Sequence, residues 1–108
     1  MARSARRSDF YLPLADNEGQ PFADEKYKAV ERLLIARFGG ITSHQREFPL
    51  RGVWRGPTRV YFDWVIVMSV LDFRPRGSAR FIAQLKHDLL REFDQLDILI
   101  IESPIRVH

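Results

Sequence analysis

The sequence of 108 residues is long enough for one domain with a single hydrophobic core. It contains no cysteine, which excludes disulfides, a thiol nucleophile and cysteine-ligated metal sites. The formal charge of +3 comes mainly from arginine, with fourteen arginines against three lysines, and so small an excess favours nucleic-acid binding only weakly. No long apolar segment follows the basic opening MARSARR, so we expect a cytoplasmic protein without a signal peptide or membrane contact.

Three segments of the first half have recognisable patterns. Asp9–Leu14 is a short apolar run that predicts a first strand, although its proline cannot donate to a sheet. Across Phe22–Phe38, apolar residues recur at steps of three and four, which predicts a helix that ends at Gly39-Gly40. Ile41–Leu50 is polar without clean alternation and predicts a weak edge strand, and the following RGVWRGP predicts a hairpin connection.

Thr58–Phe73 is the longest apolar segment, and its β-branched and aromatic residues predict the central strand. One alternate set is apolar throughout and should face the core: Val60, Phe62, Trp64, Ile66, Met68 and Val70. The other set should lie on the sheet face that no helix covers and includes Tyr61, Val65, Val67, Leu71 and Phe73. That face is too apolar for bare solvent, so we predict self-association through it, with a homodimer as the simplest assembly; a ligand in a half-covered cleft is the alternative.

The last third predicts a second helix capped by Ser78 and a final strand at Asp97–Val107. Pro104 within that strand indicates an edge position. The element order βαββαβ therefore predicts an α+β, ferredoxin-like fold, in which two helices cover one face of a four-stranded antiparallel sheet. We expect this domain to span residues 8–108 and to follow a flexible basic arm at residues 1–7.

Asp63 is the one charged residue in the middle of the central segment, where an unpaired charge would be costly. One hypothesis pairs it with His44 or Arg46 on the neighbouring strand, in a register that places His44 opposite Asp63, or with a hydroxyl of Tyr61 or of a second copy. The alternative is a small acid–base enzyme that uses His44 and Asp63, because a carboxylate can orient an imidazole near neutral pH. No nucleophile turn accompanies the pair, so the structural hypothesis is preferred.

A second candidate site is rich in arginine. Arg74, Arg76, Ser78 and Arg80 stand where the second helix begins, and the N-termini of helices attract anions. In the predicted topology the basic arm, Arg37 and the last residues near Arg106 and His108 lie toward the same end of the sheet. The functional hypothesis is a phosphate or nucleic-acid site, and the preferred alternative is a set of solvated arginines paired with acidic neighbours. The three histidines lack the spacing of metal ligands and no cofactor motif occurs, so we expect neither a metal nor a cofactor.

Several short motifs resemble those of small bacterial ferredoxin-like domains of uncharacterised function. They are FGGIT at Phe38–Thr42, GVW at Gly52–Trp54, the apolar strand with Tyr61 and Asp63, and FDQLDILI at Phe93–Ile100. The resemblance covers most of the chain beyond residues 1–7 and implies the ferredoxin-like fold, but it implies no activity. A non-enzymatic binding or assembly module is therefore the leading hypothesis, ahead of the anion site and the enzyme.

Overall fold

The computed structural model describes residues 1–108 and contains five strands and two helices. In chain order they are β1 (Arg3–Pro13), α1 (Asp24–Phe38), β2 (Thr42–Ser43), β3 (Leu50–Arg55), β4 (Val60–Asp72), α2 (Ser78–Glu92) and β5 (Ile100–Val107). All strand pairs are antiparallel; β4 and β1 are central, and β5 is an edge strand, as its proline predicted. The protein is thus an α+β fold, compatible with the ferredoxin-like order.

The sheet has five strands rather than the predicted four, because the predicted second strand is divided. Both β2 and β3 pair with the same edge of β4, β2 at Met68 and Ser69 and β3 from Val60 to Val65. The residues between them, 44–49, lie outside the sheet. Their sequence has no alternation that would bury one face, so nothing holds them in register with β4. Most of the predicted hairpin connection forms β3 instead.

β1 begins earlier than its apolar run predicted. Arg3–Arg7, which were expected to belong to a flexible arm, pair with β5, and Arg6 and Arg7 also pair with β4. Hydrogen bonding to a neighbouring strand holds this charged segment in an extended conformation. These residues therefore belong to the sheet and not to a separate arm.

Both helices pack on one face of the sheet, and the core lies between the two layers. The buried core residues are Phe10, Leu12, Tyr27, Val30, Leu34, Ile66, Met68, Val70, Leu85, Leu89, Phe93 and Ile98. Apolar positions on α1 recur at helical spacing and those on the central strands at period two, so each element presents one apolar face to the other layer. Neither helix has the length and apolar composition that crossing a bilayer requires.

Of the two capping residues predicted from the sequence, one is confirmed and one is wrong. α1 ends at Phe38 and is capped by Gly39, which has a φ of +90° and adopts the left-handed conformation predicted for it. At α2 the prediction is wrong, because the N-cap is Gly77 and Ser78 is the first helical residue without a capping hydrogen bond. The Ser78 hydroxyl instead accepts a hydrogen bond from Arg37 of α1 at 3.3 Å.

The first half of β4 extends past the core and forms a two-stranded hairpin arm with β3, residues 50–64. β1 ends at Pro13 opposite Val65, so no central strand continues beside the arm. The alternate apolar residues of β4 that were predicted to face the core therefore fall into a buried half and an exposed half. The second half, Ile66, Met68 and Val70, is buried. The first half is exposed, with values of 48% for Val60, 60% for Phe62 and 56% for Trp64. The molecule is correspondingly elongated, at 47 × 29 × 27 Å.

Candidate functional site

A cleft of about 560 Å³ lies where β4 ends, beside the C-terminal end of α1. Four arginines line it: Arg3, Arg37, Arg74 and Arg76. They come from β1, from the last turn of α1 and from the connection between β4 and α2, so the fold brings together segments that are far apart in sequence. We call this feature the arginine cleft.

The guanidinium groups of the arginine cleft have no carboxylate within salt-bridge distance. Arg3 lies over the Phe73 ring, 4.0 Å from its centre. Arg37 donates to the Arg76 carbonyl at 3.4 Å and to the Ser78 hydroxyl. The one acidic residue of the lining, Asp72, is buried and accepts a hydrogen bond from the backbone N–H of Arg74 at 3.0 Å. Most of the guanidinium donors therefore remain free for an anion.

The predicted anion-site residues have different positions in this arrangement. Arg74 and Arg76 line the cleft, whereas Ser78 is buried beneath it and already accepts a bond from Arg37. Arg80 lies on α2 and is exposed outside the lining. Arg3 was assigned to a flexible arm, and only its pairing within β1 brings it to the cleft.

A second cleft, of about 300 Å³, adjoins the first and is more apolar; we call it the apolar cleft. Its lining is Phe38, Gly39, Gly40, Ile41, Thr42, Ser69, Leu71 and Phe73. The space exists because β2 pairs with β4 only at Met68 and Ser69, so beyond Ser69 this edge of β4 has no neighbouring strand. Sequence reasoning did not anticipate this cleft, because the position of the gap depends on where β2 ends.

The open sheet face, opposite the helices, is less exposed than its sequence suggested. Val65 and Val67 are only 6% and 7% exposed, whereas Leu71 and Tyr61 are 40% and 43% exposed and Phe73 is half-buried. A polar group interrupts the face, because Ser69 donates to the Asp9 carboxylate at 2.5 Å and Arg7 donates to the same oxygen at 3.0 Å. The predicted self-association residues therefore form no continuous apolar patch.

The hairpin arm carries a more continuous apolar surface. One face of the arm continues the sheet face that the helices cover. On this face Val53 lies opposite Phe62, with Val60 and Trp64 to either side. All four side chains are about half exposed. Arg51 lies over the Phe62 ring with its guanidinium 4.7 Å from the ring centre. We call these four residues the apolar row.

The proposed pair of His44 and Asp63 is not formed. The His44 N–H donates to the Val67 carbonyl, and Asp63 lies opposite Gly52 rather than opposite His44. Four residues along an extended strand separate the two positions by roughly 13 Å. Arg46 does not reach Asp63 either; it forms an ion pair with Asp24 at the start of α1. The assumed register is wrong, and the acid–base hypothesis loses its geometric basis.

Three side chains have a shifted pKa, and none of them lines either cleft. Burial raises the pKa of Tyr27 to about 12, and its hydroxyl donates to the Pro13 carbonyl at 2.7 Å. A hydrogen bond from Arg32 lowers the pKa of Glu25, and one from Lys86 lowers the pKa of Asp97. Tyr27 joins α1 to the end of β1, Lys86 joins α2 to the segment before β5, and the pair of Glu25 and Arg32 lies within α1. The shifts therefore indicate structural contacts rather than a site.

The fold and its surfaces define an α+β protein with an arginine cleft at one end of the central strand and an apolar hairpin arm at the other. No protein-family model and no curated protein matches the chain. Among solved structures, the fold is similar to that of a phage SAM lyase in complex with S-methyl-5′-thioadenosine, with a TM-score of 0.66 and 10% sequence identity. The match covers 95% of this chain and 88% of the lyase chain, and at that identity it establishes the fold alone.

Proposed function

We propose that this protein is a cytoplasmic, non-enzymatic module of the ferredoxin-like type that assembles into a homodimer. The observation that carries the proposal is the apolar row on the hairpin arm, Val53, Val60, Phe62 and Trp64. Isolated apolar side chains on a surface are ordinary, but a contiguous row that includes two aromatic residues is typical of an interface. The proposal keeps the predicted self-association and moves its surface from the open sheet face to the arm.

The area of the row is consistent with an interface. Four side chains of this size, each about half exposed, present roughly 350 Å² of mainly apolar surface. A standard interface buries roughly 800 Å² per partner, of which somewhat more than half is apolar. The row therefore supplies most of the apolar area that one partner contributes.

A groove between the two helices is the surface of a second copy that fits the arm best. This helix groove encloses about 290 Å³ and has mainly apolar walls, including Val30, Leu33, Leu85 and Leu89. Its charged lining residues are Lys26, Asp88 and Glu92, and Lys26 forms an ion pair with Glu92 at 3.4 Å. The arm carries three arginines, Arg51, Arg55 and Arg59. Asp88 has no ion-pair partner within the chain, so its carboxylate can pair with an arginine of the arm when the arm lies in the groove, while two arms packed together would bring arginines into contact.

Reciprocal docking produces a closed dimer. The apolar row faces the same side of the sheet as the helices and extends beyond them, so each arm can cover the helix groove of the other copy. Because both contacts are the same, a two-fold axis relates them and no surface remains to extend the assembly.

The decisive measurement is the molar mass in solution by light scattering. Phe62→Asp on the arm and Leu33→Asp in the groove should each convert a dimer to a monomer, because each places a charge in an apolar contact. Leu96→Asp is the matched control, since Leu96 is fully exposed outside both surfaces and should leave the mass unchanged. A monomeric wild type would contradict the proposal. If Phe62→Asp is monomeric while Leu33→Asp remains a dimer, the helix groove is not part of the interface and the two arms pair with each other instead.

The arginine cleft supports a second candidate function, the binding of a phosphate-bearing ligand. Its specific observation is the set of four arginines that line one cleft without carboxylate partners. The phage SAM lyase of similar fold is in complex with a nucleoside, S-methyl-5′-thioadenosine, which accords with a small-molecule site but does not supply the phosphate.

Inorganic phosphate tests this candidate directly. Amide NMR shifts of residues 72–78 should move saturably as phosphate is added, and the affinity should fall as sodium chloride is raised, because salt screens exposed charges. The absence of a saturable shift at low salt would remove the candidate.

A further inference from the structure

We infer that the arginine cleft and the apolar cleft form one groove that binds a nucleoside monophosphate, with the base in the apolar cleft and the phosphate among the arginines. This inference rests on the anion-binding candidate above and adds the chemical class of the ligand. It depends on the continuity of the two clefts and on the different chemistry of their walls.

The two clefts are continuous because they have part of their lining in common. Phe38, Gly39, Leu71 and Phe73 belong to both. The edge of β4 beyond Ser69 forms the floor of the junction, where neither β2 nor β3 is present to close it. A ligand longer than a phosphate ion can therefore occupy both halves without any rearrangement of the sheet.

The apolar half has the walls that a planar base requires. Phe38, Ile41 and Leu71 provide apolar contact, while Gly39 and Gly40 have open space where a side chain would otherwise project. The Thr42 hydroxyl belongs to the same lining and has no intramolecular hydrogen bond, so it can contact a polar edge of the base. Mainly apolar walls with a few polar groups are the usual composition of a small-molecule site.

The polar half has the donors that a phosphate requires. Four arginines against one aspartate leave a local charge of 4 − 1 = +3 around the cleft. The planar guanidinium fork matches phosphate oxygens in pairs, which a lysine cannot do. Arg3 is the residue at the boundary, because its guanidinium stacks on Phe73, a residue common to both clefts. This stacking holds one charge where the phosphate of a ligand joins its nucleoside.

The experiment compares three probes on the full chain by isothermal titration calorimetry: AMP, adenosine and inorganic phosphate. AMP should bind at least tenfold more tightly than either of the other two, because only AMP fills both halves. The double variant Arg74→Gln/Arg76→Gln should weaken AMP at least tenfold and leave adenosine unchanged. Leu71→Ser should weaken AMP and adenosine but not phosphate.

Matched controls distinguish ligand binding in the two joined clefts from general effects of substituting surface residues. Arg32→Gln removes an exposed arginine on α1 outside the groove, and Ile101→Ser removes an open-face residue about as exposed as Leu71. Neither should change AMP binding. All the substituted side chains are exposed, so thermal unfolding should confirm that each variant is folded.

The outcomes distinguish this inference from the anion-binding candidate. If phosphate and AMP bind equally well, the nucleotide inference is wrong and the anion site stands. If neither binds, both are wrong. If a single-stranded RNA oligonucleotide binds with strong salt dependence while AMP does not, the clefts belong to a nucleic-acid surface, and the inference is likewise overturned.

Discussion

Trp54 donates its indole N–H to the carboxylate of Asp63 across the hairpin arm, with 2.8 Å between Nε1 and Oδ1. The bond joins neighbouring strands on the side of the arm away from the apolar row. Gly52 lies directly opposite Asp63 and makes the bond possible, because a Cβ at that position would clash with the Asp63 carboxylate and stand 2.7 Å from Trp54 Nε1. Asp63 is thus a partnered residue of an exposed arm and not a buried charge.

Gly52→Ala should therefore break this bond. We expect a loss of about 1 to 2 kcal/mol in the free energy of unfolding, toward the low end for a hydrogen bond to a charged group because this bond is exposed to solvent. Urea denaturation measures the loss. Gly40→Ala is the control, because a Cβ there meets no atom within 4 Å, and its stability should be unchanged or slightly raised. Equal losses in the two variants would show that Gly52 has no special role.

Two residues on the same face of β4 should respond differently to truncation. Ile66 is 1% exposed and lies in the core, so Ile66→Ala should cost about 2 to 5 kcal/mol of stability. Phe62 is exposed, so Phe62→Ala should cost less than about 1 kcal/mol when the protein is dilute enough to be monomeric. Thermal and chemical unfolding of both variants checks the contrast. Similar losses would mean that the arm is packed in the monomer as tightly as the core.

Alkaline pH should destabilise the protein through Tyr27. Its pKa is about 12 in the folded protein against an ordinary value of 10.0, because burial disfavours the phenolate. Above pH 10 the unfolded chain loses the proton first, so the folded state binds more protons and stability falls as pH rises from about 10 to about 12. The slope from this one group is about 1.4 kcal/mol per pH unit, and the contribution is fully present below pH 10.

Tyr27→Phe is the variant that isolates this effect. It should flatten the fall between pH 10 and 12, measured by urea denaturation at fixed pH values. At neutral pH it should cost about 1 kcal/mol, because the Pro13 carbonyl loses its donor. Tyr61→Phe is the control, since Tyr61 is exposed and should leave the pH profile as it is. An unchanged profile in Tyr27→Phe would assign the alkaline loss to other groups.

Much of the fold followed from local patterns. The spacing of apolar residues predicted both helices, and the composition of Thr58–Phe73 predicted the central strand. Pro104 predicted the edge position of β5, because a proline cannot donate to a neighbouring strand. The strand at Arg3–Arg7 was missed because its side chains are mainly charged or small, and its extended form depends on pairing with residues some hundred positions away.

The candidate sites depended more on tertiary structure. The predicted topology placed Arg37 and the basic arm at the same end of the sheet as Arg74 and Arg76. That Arg3 and Arg37 line one cleft with them depends on the pairing of β1 and on the position of the end of α1. The apolar cleft had no signal in the sequence. It exists because β2 is only two residues long, and the length of a pairing is decided by the register of the whole sheet.

The sequence by itself determined that alternate residues of Thr58–Phe73 would form one apolar face, because the period of a strand is a property of the local chain. Only the tertiary structure decided which part of that face is core and which part is surface. The helices cover Ile66, Met68 and Val70 and leave Val60, Phe62 and Trp64 exposed, since burial depends on what packs over a residue and not on the residue alone. That boundary within one strand separates the residues that stabilise the fold from those we propose for assembly.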